Sequence, residues 1–217
     1  MDLATMTGML LTGFGTTLAL FALTLVGAIP LGVPIALARM SRFRPLSLLA
    51  RAFISVLRGT PLMLQMFAIY FAPFYVLGIE LTPASKWQAC VVAFIVNYAA
   101  YFAEIYRSGI QSVPRGQYEA AEVLGYSGSQ TFMRIVLPQV VKRILPAVTN
   151  EVITLVKDTS LAFSIGVIEM FTVAKQLVAS QVSMAPFIIA AAFYWVANFV
   201  IDIVAGRVER RLNYYHD

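Results

Sequence analysis

Long apolar runs alternate along this chain with short charged connections. No charged residue lies between Asp2 and Arg39, and four more apolar stretches follow. Five spans are predicted, over residues 9–38, 53–77, 87–106, 140–164 and 184–205. A helix needs about 20 such residues to cross a hydrocarbon core of about 30 Å. The first run has no basic segment before it and no cleavage site after it, so it is expected to stay in the mature chain. Thr12, Gly13, Gly15, Thr16 and Thr17 give it a small-residue face for close helix packing, and Pro30 and Pro34 are expected to bend its far end. The second run is interrupted by Arg58-Gly59-Thr60-Pro61, where Pro61 loosens the helix and Thr60 can satisfy a freed backbone group. A polar, partly broken segment, 173–181, precedes the last span.

The longest polar interruption covers residues 115–138. Tyr118 to Leu124 are good helix formers, and Gly125 follows where a helix C-cap wants a positive φ. Ser127 with Gln130 three residues on is a capping-box pattern that starts a second short helix, which Pro138 is expected to end or kink. Ala120 and Ala121 leave one face thin, and Glu119 and Glu122 frame it with charge. A short exposed helix without a core of its own is expected to be held by a partner.

Composition sharpens this picture. Charged residues make up 12% of the 217, against about 25% in a soluble domain. With 59% hydrophobic residues and a mean hydropathy of +0.78, the chain is predicted to be an integral membrane protein, all-α and a single domain over residues 1–217. The lone cysteine, Cys90, excludes an internal disulfide and a cysteine metal cluster. His216, the only histidine, is the penultimate residue and is expected to be a solvated tail group, so no metal site is expected.

The net charge of +5 has a topological cause. Arg39, Arg42, Arg44 and Arg51 follow the first span; Arg107, Arg115, Arg134, Lys142 and Arg143 flank the polar loop; Arg207, Arg210 and Arg211 close the chain. The opposite ends show only Lys86 and Lys175. The positive-inside rule therefore places the N-terminus outside, the C-terminus in the cytoplasm, and residues 115–138 in the cytoplasm. Nucleic acid is not needed to explain the charge.

No catalytic constellation is present. There is no G-x-x-x-x-G-K-[ST] phosphate loop and no H-E-x-x-H pair, and no serine has a histidine to activate it. Energy must come from another subunit, and no cofactor is expected on this chain. The informative polar groups lie in the fourth span: Asn150, Glu151, Thr154, Lys157 and Asp158. Ionisable groups there cost about 2.5–3.5 kcal/mol each on insertion scales, so they face a cavity or a partner. Glu151 and Asp158 are seven residues apart and share a helix face, with Thr154 between them. An amino acid carries an ammonium and a carboxylate, and Glu151 with Asn97 or Lys157 would supply matching groups. The residues alone leave two readings open, a substrate path or interhelical ion pairs. For Arg58 they leave open substrate contact or a helix kink whose arginine reaches the interface. Glu104 is expected to pair with Arg107 or a neighbouring helix.

Glu119-Ala120-Ala121, then Gly125, then Ile135-Val136-Leu137-Pro138 resembles the loop signature of ABC importer permeases, E-A-A, G and I-x-L-P, without a gap. Arg58-Gly59-Thr60-Pro61 followed by Gln65, the stretch from Asn97 to Ile110, and Lys157-Asp158-Thr159-Ser160-Leu161 are similar to segments of its polar amino-acid uptake family. The resemblance covers nearly the whole chain and implies a MetI-like, type I bundle of five helices. It also implies an ATPase dimer docked on a coupling helix through Glu119, Ala120, Ala121, Gly125, Leu137 and Pro138. A second permease subunit, identical or homologous, an extracytoplasmic binding protein and an amino-acid substrate are implied as well, in a bacterial plasma membrane. Arg58, Asn97, Glu151, Thr154, Lys157 and Asp158 are the candidate substrate path. The rival reading is an ion-coupled secondary transporter using Glu151 or Asp158, but no inverted repeat supports it. An intramembrane enzyme lacks its nucleophile and base.

Overall fold

The computed structural model describes residues 1–212, so His216 lies outside the described residues. Those residues form nine α-helices and no strand. They are α1 (Leu3–Arg39), α2 (Arg44–Gly59), α3 (Leu62–Leu77), α4 (Pro83–Gln111), α5 (Arg115–Val123), α6 (Gly128–Thr131), α7 (Leu137–Asp158), α8 (Met170–Gln181) and α9 (Ala185–Leu212). Three of them, α1, α4 and α9, are long and apolar enough to cross a membrane alone. Two bent pairs raise the number of spans to at most five. The expected five is thus at most a count of spans, and the helices outnumber it.

The second apolar run shows why. Instead of a loosened rod it is two helices meeting at 109°. Thr60 and Pro61 are both extended, and the side chains around them absorb the freed backbone. The Thr60 hydroxyl donates to the Val56 carbonyl at 2.8 Å, as its place beside a proline predicts. The segment 115–165 also differs from expectation. Pro138 does not end a helix: α6 runs through a π-helical turn, Phe132–Val136, straight into α7. The Leu137 N–H reaches back five residues to the Phe132 carbonyl, and this wider turn accommodates a proline ring that would collide with the carbonyl four residues before it. At its other end α7 tightens into a 3₁₀ segment, Thr159–Ile165, before the 60° bend into α8. α1 runs unbroken through Pro30 and Pro34.

α4 is the central post. Cys90, Phe94, Ala99 and Phe102 on it are fully buried, and α1, α3 and the end of α7 close around them. α1 and α4 run in the same direction, since Ile95 lies against Gly27 and Ala103 against Gly32. Their basic ends, with Arg39 on one and Arg107 on the other, therefore share one end of the bundle. A second core joins α1 to α8 and α9 through Met6, Leu10, Met170, Leu177 and Ala190. Here the small-residue face of α1 has its use: a Cβ on Gly13 would lie 2.9 Å from the Met170 Cα, so only glycine admits this approach. Gly15, in contrast, meets nothing within 4 Å. α9 buries little, leaving Ile188, Trp195, Phe199 and Val204 exposed, the pattern of a helix that meets lipid.

Candidate functional site

Polar side chains converge where α2, α4 and α7 meet. A cavity of about 560 Å³ there is lined by Arg58, Tyr101, Glu104, Arg107, Arg143 and Glu151, among others. The bend at Thr60-Pro61 turns α2 so that Arg58, at its last turn, faces α4, with its guanidinium carbon 5.1 Å from the centre of the Tyr101 ring. The ring face is a weak acceptor that leaves the charge free for other partners. Glu151, half-buried on α7, stands on the same cavity. Among the described residues neither Arg58 nor Glu151 forms an ion pair, and both stand on the cavity beside the ion pair of Arg107 with Glu104 at 2.5 Å. Arg143 donates to the Ser112 carbonyl and ties the start of α7 to the end of α4.

The candidate path residues do not all meet. Asp158 is half-buried and accepts from the Tyr98 hydroxyl at 2.7 Å. Lys157 is exposed on the adjoining face, as neighbours on a helix point apart. Thr154 is half-buried between the two carboxylates in sequence. Asn97 has partners of its own on α2 and α3. The Asn97 amide is buried and donates to Gln65 Oε1 at 2.9 Å and to the Leu57 carbonyl at 3.2 Å. Gln65 in turn donates to Leu57 O and Thr60 Oγ1. Asn97 and Gln65 therefore staple the break between α2 and α3, supplying the backbone partners that a broken helix in lipid needs. The Gln after R-G-T-P was visible in sequence; its partner 32 residues away was not.

One buried polar group was missed. Glu169 is fully buried and caps α8, accepting from the backbone N–H of Phe171 at 2.6 Å and of Thr172 at 2.7 Å. The Tyr194 hydroxyl of α9 reaches it at 3.3 Å, and the Thr17 hydroxyl of α1 accepts from Met170 N–H. Three helices meet at this node. The signal was present as an acidic residue followed three positions later by Thr172, just before helix formers.

The loop between α4 and α7 is built for presentation. α5 carries Glu119, Ala120 and Ala121, and it ends in a Schellman motif: Tyr126 N–H to Ala121 O at 3.0 Å and Gly125 N–H to Glu122 O at 2.9 Å, with Gly125 at φ +78°. Ser127 and Gln130 form the predicted capping box. The two alanines are not one thin face: Ala121 is buried and Ala120 exposed, because adjacent helix positions lie about 100° apart. Val123 (88% exposed), Leu124 and Met133 stand free, an apolar patch on a polar loop. Leu137 and Pro138 sit in the first turn of α7.

A lipid-spanning helical bundle with a polar cavity between its helices, and a doubly capped knuckle at one end, is the build of a membrane permease driven from outside its own chain. The chain belongs to the family described as binding-protein-dependent transport system inner membrane component, which matches residues 28–214. It is similar to the L-cystine transport system permease protein TcyB of Bacillus subtilis (strain 168), 37% identical over 94% of this chain and 86% of that one. It is also 36% identical to the arginine transport system permease protein ArtQ of the same organism, over 94% and 92% of the two chains. Among solved structures, an amino acid ABC transporter crystallised with histidines aligns at a TM-score of 0.87 and 34% identity, covering 97% of this chain and 99% of that one. The MetNI methionine ABC transporter aligns at a TM-score of 0.74 and 17% identity, which shows a shared fold. The protein is therefore the transport subunit of an ABC importer of the bacterial inner membrane and not an enzyme. Its family works with a separate ATPase and a substrate-binding protein.

Proposed function

We propose that this subunit carries polar amino acids, with N-terminus outside and C-terminus in the cytoplasm. It acts beside a second permease subunit, identical or homologous, above an ATPase dimer that grips α5 and α6. ATP binds to that dimer, and this chain needs no cofactor or metal of its own. An extracytoplasmic binding protein delivers the substrate. Glu119, Ala120, Gly125 and the exposed Val123 and Leu124 form the docking knuckle, with Ala121, Leu137 and Pro138 holding it in place.

The observation that carries the substrate class is the cavity in which Arg58 and Glu151 face the same space. An amino acid offers one carboxylate and one ammonium, and the two side chains complement them. The relatives' names point the same way, with cystine, arginine and glutamine among them. Asp158 and Lys157 lie farther along the same helix and extend the path. Asn97 and Thr154 shape it.

Uptake into proteoliposomes tests this reading. The complete importer should take up zwitterionic and cationic amino acids only with ATP and its ATPase. Glu151→Gln should lower uptake of the cationic ones most. Uptake driven by an ion gradient without the ATPase would overturn the reading in favour of a secondary transporter. Unchanged kinetics for Glu151→Gln across the substrate panel would remove this carboxylate from the path.

A further inference from the structure

Arg39, Arg42, Arg44 and Arg51 lie in a stretch with no Asp or Glu between Asp2 and Glu80. None of the four makes an ion pair or a side-chain hydrogen bond among the described residues. Arg42 and Arg44 are exposed and flank Phe43, itself 65% exposed. Next to this connection an apolar groove of about 450 Å³ runs between the end of α1 and the first half of α2. Leu31, Pro34 and Ala38 form one wall, and Leu46, Leu49 and Phe53 the other. The Ser47 hydroxyl donates to the Arg39 carbonyl at 2.8 Å and pins the elbow, so groove and arginines keep a set relation.

We propose that the α1–α2 elbow is a binding site for an anionic glycerophospholipid. An acyl chain lies in the groove, and the headgroup phosphate is held by the arginines of the connection. The groove offers hydrocarbon and nothing else, while its basic end offers guanidinium groups whose planar fork matches phosphate oxygens. Phe43 sits between two of them, as an aromatic at a lipid interface does. A second copy of this chain is a poor occupant. A two-fold contact through this face would bring two sets of the same four arginines together.

Native mass spectrometry of the delipidated importer complex, titrated with phosphatidylglycerol or phosphatidylcholine of matched chains, tests the site. Basic residues near an anionic headgroup each contribute about fivefold. Arg42→Gln with Arg44→Gln should therefore weaken the tightest phosphatidylglycerol event about 25-fold and leave phosphatidylcholine unchanged. Ala38→Phe, which fills the groove, should weaken both lipids alike. Thiol shielding of buried Cys90 verifies that the variants are folded. Three results would overturn the proposal. Phosphatidylglycerol preference could survive the arginine pair. It could instead vanish with Arg207→Gln and Arg211→Gln, moving the site to the end of α9. Or Ala38→Phe could break subunit association without touching lipid, which would make the groove a protein contact.

Discussion

Replacing Glu169 isolates the worth of the node where α1, α8 and α9 meet. In Glu169→Ala the backbone N–H groups of the half-buried Phe171 and Thr172 lose their acceptor. The Thr172 hydroxyl keeps the Val167 carbonyl, 3.0 Å away, and Tyr194 lies close enough to Thr17 and Thr159 to pair again. Two orphaned, part-buried donors remain, each costing about 1–3 kcal/mol, so the loss is at most about 4 kcal/mol. Glu169→Gln keeps one acceptor oxygen for Thr172 but turns an amide N–H toward the Phe171 N–H, leaving one orphan and a loss of about 2 kcal/mol. On the scale of a 200-residue globular protein these are about 8–16 °C and about 4–8 °C in apparent melting temperature. The assay is built into the chain. Cys90 is the only cysteine of this chain and is fully buried, so with partner subunits made free of cysteine a thiol-reactive fluorophore reports its unfolding directly during a thermal ramp of the purified complex. The ordering wild type, Gln variant, Ala variant should be clear. If the two variants melt together, or both melt with the wild type, the carboxylate is not what holds α8 to α9.

Further outcomes follow from close approach, backbone conformation and a single hydroxyl. Gly13→Ala drives a methyl against the Met170 backbone and should cost about 1–3 kcal/mol in the same melt, whereas Gly15→Ala, with open space around it, should be neutral or slightly stabilising. Gly125→Ala forces an L-residue to φ +78°, at about 1–2 kcal/mol, and frays the end of α5. Co-purification of the ATPase should fall while membrane insertion, scored by fractionation, stays unchanged. Tyr98→Phe strips Asp158 of its donor, at about 1.5–3 kcal/mol for a hydrogen bond to a carboxylate. Uptake by the reconstituted importer should drop, and Tyr101→Phe, whose ring still faces Arg58, should leave it near wild type.

The sequence by itself determined the solvent in which this protein lives and the capped knuckle between α4 and α7. Those features are local or additive. Hydropathy sums along a run, and the Gly125 cap and the Ser127–Gln130 box act over three or four residues. Only the tertiary structure decided that the R-G-T-P break is a 109° turn, because the amide that stabilises it, Asn97, comes from a different helix. It also separated the polar residues of α7. Arg58 swings over to share a cavity with Glu151, Asp158 finds Tyr98 across the bundle, and Asn97 is drawn away from both. The cap that Glu169 makes on α8 is written locally in the sequence, but its complete burial between helices is not. A carboxylate can be buried in a membrane protein when donors surround it, and one of those donors, Tyr194, lies 25 residues farther on, on a helix whose direction no local pattern encodes.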